Sequence, residues 1–81
     1  MRLILDIPEE AFSSLRQSPE GFAFEMRIAA AAKWYELGRL SQAKAADVAR
    51  LSRADFIAQL FRFGVSPIQL RPGELAAEFE A

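Results

Sequence analysis

Prolines and glycines are placed so that they constrain this 81-residue chain more than any other feature does. Pro8, Pro19, Gly38, Gly64, Pro67, Pro72 and Gly73 divide it into six pieces. Proline lacks an N–H and clashes with the turn before it, so it is tolerated only in the first turn of a helix. Glycine weakens a helix interior but suits the left-handed residue just past a helix end. The piece from Pro19 to Gly38 has room for about five helical turns, and Ser41 and Leu51-Ser52 subdivide the stretch that follows it. Such punctuation predicts a mainly helical fold of short helices around one long one.

The first piece, Arg2-Leu3-Ile4-Leu5-Asp6-Ile7, alternates. It predicts a short β-strand with Leu3, Leu5 and Ile7 on one face and Arg2, Ile4 and Asp6 on the other. Pro8 ends it and opens a short helix over 8–16, with Glu9 and Glu10 at the positive end of the helix dipole. Ser18-Pro19-Glu20 caps a second helix over 19–37, closed by Gly38. This helix is apolar on two sides. Phe22, Met26, Ala29, Ala30, Lys33, Trp34 and Leu37 lie on one, and Phe24, Ile28, Ala31 and Tyr35 on the other. It therefore has two partners to satisfy, its own domain and either a second copy or a different protein.

Ser41 opens a third helix over 42–50, whose Ala43, Ala45, Ala46, Val48 and Ala49 offer a small-residue face for close packing. Ser52 with Asp55 matches a capping box and opens a fourth helix over 53–63, with Phe56, Leu60 and Phe63 as its core stripe. Residues 65–70 read as a short second strand that Pro67 keeps at a sheet edge. The chain thus divides into one domain over 1–71 and an acidic amphipathic tail over 72–81, helical when docked.

Composition removes whole classes of chemistry. There are no cysteines and no histidines, hence no disulfide, thiol nucleophile, zinc finger or Ser–His pair. The carboxylates are scattered, without a metalloprotease motif or a glycine-rich phosphate loop. The reading is a protein that is not an enzyme and uses no metal or cofactor. No apolar run is long enough to span a membrane, and the N-terminus lacks the pattern of a signal peptide, so a cytoplasmic location is expected. A chain this short buries only about 60–65% of its unfolded surface. With nine aromatics (7 Phe, 1 Trp, 1 Tyr) available for an interface, a homodimer is expected.

Three constellations carry functional readings. The helix pair over 41–63, with its short break, has the helix-turn-helix pattern. From Arg39 to Arg62 there are five basic residues and two acids, a local charge of +3 in a chain whose net charge is −1. In the DNA-binding reading, Arg53 and Gln59 read base edges while Lys44 and Arg50 hold phosphates. The plainer reading is two short helices packing at an angle, and Asp55 on the reading face would repel phosphate. The strand followed by two helices has the outline of a ribbon-helix-helix dimer. Its outward set of Arg2, Ile4 and Asp6 suits dimerisation better than groove reading. In the tail, Leu75 and Phe79 are neighbours at i, i+4 among Glu74, Glu78 and Glu80. Leu75, Glu78 and Phe79 are the partner-binding candidates, against the plain reading of a solvated terminus.

The order of motifs resembles a known family. The segments are the strand with Pro8-Glu9-Glu10, then Lys33-Trp34-Tyr35-Glu36-Leu37-Gly38-Arg39-Leu40-Ser41, Lys44-Ala45-Ala46-Asp47-Val48-Ala49, Leu51-Ser52-Arg53-Ala54-Asp55-Phe56, and Gly64-Val65. They are similar to a family of small, uncharacterised prokaryotic proteins regarded as antitoxins of type II toxin–antitoxin modules, often encoded beside a PIN-domain-like ribonuclease toxin. The likeness runs from about residue 2 to 80. It implies a dimeric, repressor-like N-terminal part and a C-terminal segment that blocks a toxin. Arg39, Arg50 and Ser66-Pro67 depart from the family pattern. Arg50 stands where the family carries glycine, and a left-handed turn residue other than glycine is strained.

The expected function is therefore that of an antitoxin, which binds and blocks a partner ribonuclease and also contacts its own operator DNA. The alternatives are a stand-alone helix-turn-helix transcriptional regulator and an interaction subunit with no DNA role.

Overall fold

The computed structural model describes residues 1–69, and the tail over 72–81, with Leu75, Glu78 and Phe79, lies outside them. Four helices follow one another, α1 (Glu9–Leu15), α2 (Pro19–Glu36), α3 (Gln42–Ala49) and α4 (Arg53–Arg62). The mainly helical class is as the punctuation predicts.

Local chemistry starts and stops each helix. Ser18, Ser41 and Ser52 are extended N-caps, and the hydroxyl of each accepts from the N–H three residues on. The donors are Gly21, Lys44 and Asp55, each at 3.1 Å. Such a cap contributes about 1 kcal/mol. Three helix ends share one left-handed geometry, centred on Gly38 (φ 75°), Arg50 (φ 58°) and Gly64 (φ 69°). At each, two successive N–H groups turn back to the last free carbonyls. Gly38 bonds to Tyr35 and Arg39 to Trp34, Arg50 to Asp47 and Leu51 to Ala46, and Gly64 to Phe61 and Val65 to Leu60, all between 2.8 and 3.1 Å. α1 ends more simply at Arg16 (φ 52°), whose N–H meets the Phe12 carbonyl at 2.9 Å. Arg50 therefore adopts the conformation that glycine adopts at the two equivalent ends. It closes α3 at Ala49, one residue earlier than its sequence pattern suggests.

The core gathers around the second half of α2. Ile28, Ala31, Ala32 and Tyr35 face Ala45, Ala46 and Ala49 of α3 and Phe56 and Leu60 of α4, and Val65 closes the group. Three alanines let α3 come close to α2, and Leu40, Val48, Leu51 and Phe63 rim the cluster. The Tyr35 and Phe56 rings meet edge to face at 6.1 Å. Arg27 reaches from α2 to donate to the Val48 carbonyl at 3.0 Å, in the last turn of α3, where carbonyls lack helical partners. Ala43 is exposed and takes no part in the small-residue contact. The other side of α2 is only partly covered, with Trp34 and Leu37 exposed.

Two expectations are corrected. Residues 1–7 form no strand, because a strand exists only as one side of a ladder and no described residue pairs with the segment. Residues 65–69 form no strand either. Val65 is spent on closing α4, and Ser66 curls the chain, its Oγ accepting from the Ile68 N–H at 3.2 Å and donating to the Ile68 carbonyl at 3.0 Å. α1 touches α2 through Phe12 and Phe22, whose ring centres lie 4.7 Å apart, and contributes no buried residue. The described chain is accordingly long, 50 × 27 × 21 Å, with a radius of gyration of 15.0 Å. A compact domain of this length would have about 11–12 Å.

Candidate functional site

α3 and α4 are joined by Arg50, Leu51 and Ser52 alone. The left-handed Arg50 turns the chain, and Leu51 folds inward to the core while the Arg50 side chain stays in solvent. Around this turn Lys44, Arg50 and Arg53 are all exposed. Lys44 projects from the outer side of α3, opposite the buried alanines.

Arg53 is held rather than free. Its Nε donates to Gln42 Oε1 at 2.6 Å. Gln42 Nε2 in turn donates to the Pro67 carbonyl at 3.1 Å and to Tyr35 Oη at 3.3 Å. The Tyr35 hydroxyl donates to the same Pro67 carbonyl. This network joins α2, α3, α4 and the segment after α4 at one point, with Tyr35 buried beneath it. It borders an open concavity of about 440 Å³, also walled by Ile57, Ile68 and Gln69. From sequence, Gln42 has no assigned role and Pro67 reads only as a break at a strand edge. The available signal was the hydroxyl of Tyr35, a polar tip on an otherwise apolar side of α2 that needs a partner when buried.

Gln59 sits apart from Arg53. Their offset of six positions places the two side chains about 120° apart around α4. Gln59 is half-buried and accepts from Arg62 Nη1 at 3.0 Å. Arg62 also pairs with Glu25 of α2 and lies over the Phe63 ring at 5.1 Å from its centre. The face of α4 turned furthest from the core carries Ala54, Asp55, Ala58, Phe61 and Arg62, all exposed. Phe61 is 67% exposed, so this face offers an apolar contact rather than a row of base-reading groups. Lys44, Arg50 and Arg53 are suited to charge contacts with phosphate.

Among the described residues no three metal-ligating side chains come together, and no helix is long and apolar enough to cross a membrane. The chain belongs to an uncharacterised protein family (UPF0175), whose model matches residues 1–81. Neither a curated protein nor a solved structure matches it.

Proposed function

We propose that this member of an uncharacterised family is the antitoxin of a type II toxin–antitoxin pair, acting in the cytoplasm as a non-enzymatic homodimer. The observation that carries the reading is the anchoring of Pro67. Tyr35 and Gln42 grip its carbonyl at the junction of three helices, so the chain beyond Gln69 starts from a fixed root. A covering segment rooted in this way is delivered to a partner's surface at high effective concentration. The sequence over 72–81 supplies what such a segment needs. Leu75 and Phe79 are apolar anchors one turn apart, and Glu74, Glu78 and Glu80 oppose the basic residues with which a ribonuclease holds RNA phosphate. Inhibition is then steric, with the tail lying where substrate would lie.

The test is to co-express a tagged copy of this chain with the untagged product of the adjacent gene and purify on the tag in high salt. A stoichiometric complex is expected, and it should be lost when Leu75→Asp and Phe79→Asp are combined, with the thermal unfolding of the chain unchanged. A soluble, well-expressed neighbour that never co-purifies sinks the reading. A complex that survives the double change sinks the tail mechanism.

The exposed basic group around the α3–α4 turn favours a second reading, a helix-turn-helix regulator that binds DNA, either alone or as part of the antitoxin. Because the outer face of α4 carries alanines and Phe61, binding would rest mainly on phosphate contacts through Lys44, Arg50 and Arg53. It would fall steeply with salt. Arg53→Ala would weaken it, and removal of 72–81 would not. Equal binding of the upstream duplex at low and high salt would exclude this reading.

A further inference from the structure

The N-terminal third of the molecule has no core. No residue from 1 to 27 is buried, and the first buried side chain is Ile28. Residues 1–7 make no backbone hydrogen bond with any other described residue. Leu3 is 77%, Ile4 79% and Leu5 50% exposed, in a segment of strand-forming, alternating character. Apolar side chains and free N–H and C=O groups together are the edge of an unmade sheet.

We infer that residues 2–6 pair antiparallel with the same residues of a second copy, about a two-fold axis through Ile4. Charge and parity select this register. In an antiparallel pair, directly opposed side chains share a face, so only residues of equal parity can be opposed if the apolar faces are to coincide. Centring on Ile4 sets Arg2 against Asp6 of the second copy, Leu3 against Leu5, and Ile4 against Ile4, and the axis repeats each pair. Shifting the axis to Leu3 sets Arg2 against Ile4 instead, and shifting it to Leu5 sets Asp6 against Ile4. A parallel, in-register pair would set Arg2 against Arg2 and Asp6 against Asp6. The segment is thus complementary to itself in one arrangement. One face of the ribbon then carries Leu3, Leu5 and Ile7 from each chain. A two-stranded ribbon is marginal in water without helices against its apolar face. The elements that follow in each copy, α1 and the first half of α2, hold Phe12 and Phe22 half-buried and Leu15 and Phe24 exposed, and lack buried residues of their own.

This inference rests on the dimer in the proposed function, and on neither the toxin nor the operator. The test uses the full chain in sedimentation equilibrium and native mass spectrometry. Arg2→Asp sets aspartate against Asp6, and Asp6→Arg sets arginine against Arg2, twice per dimer in either case. Each single variant should dimerise about ten-fold or more weakly. Mixed, the two should form a heterodimer of wild-type affinity, and Arg2→Asp combined with Asp6→Arg should dimerise as wild type does. The chain has no cysteine, so cross-linking reads the register directly. Ile4→Cys should form an interchain disulfide faster than Leu3→Cys or Leu5→Cys. A wild-type chain that stays monomeric overturns both the register and the dimer, as it would if 70–81 covered the segment within one chain. A dimer indifferent to the charge changes, or a cross-linking maximum at position 3 or 5, overturns the register and leaves the dimer. Failure to capture a toxin with the register intact overturns only the antitoxin reading.

Discussion

Arg50 carries two roles that a single substitution separates. Its backbone sits at φ 58°, where a side chain is strained and glycine is not, while its guanidinium is exposed beside the helix pair. Arg50→Gly should relieve that strain, giving about 0.5–1 kcal/mol of added stability and a melting temperature several degrees higher. In the DNA reading the same change removes a phosphate contact, so duplex binding should weaken as stability rises. A thermal melt and a binding isotherm on the one variant check both signs. Tyr35 shows the opposite economy, since one side chain packs its ring on Phe56 in the core and holds the Pro67 carbonyl with its hydroxyl.

Helix starts and ends were legible because a cap needs only groups within three or four residues of each other. Ser18, Ser41 and Ser52, and Gly38 and Gly64, act where their sequence context places them. Which residues of a helix meet a neighbour was less legible. Ala43 has the same character as Ala45, Ala46 and Ala49, yet it points to solvent, because two residues turn the helix about 200°. The α2–α3 contact therefore depends on three alanines. Ala45→Leu should overpack it and cost about 1–3 kcal/mol, whereas Ala43→Leu should be nearly neutral in the same denaturant titration. On α4, Arg53 and Gln59 looked alike as polar residues of one helix, but Gln59 is turned toward Arg62, which itself pairs with Glu25, and Arg53 toward Gln42.

At the scale of the whole molecule the N-terminal third and the body over 28–69 differ in kind. The body has a small, closed core whose large, fully buried members are Phe56, Ile28 and Leu60. The N-terminal third has apolar surface and nothing within the described chain to cover it. If a second copy supplies the cover, unfolding is linked to dissociation, and the melting temperature should rise with protein concentration. Scanning calorimetry over about a hundred-fold range of concentration checks this, and a melting temperature independent of concentration would point to a monomer.

From the sequence alone one can determine where helices begin and end, that histidine and cysteine chemistry is absent, and that Arg2 to Ile7 alternates, because each of these rests on neighbours along the chain. Tertiary structure decided which side of α2 became the interior. It also decided that Arg53 is tied through Gln42 to Pro67, and that neither 1–7 nor 65–69 is a strand within a single copy. The physical reason is separation: the Tyr35 to Pro67 bond spans 32 residues, and a ladder needs a partner that local pattern cannot specify.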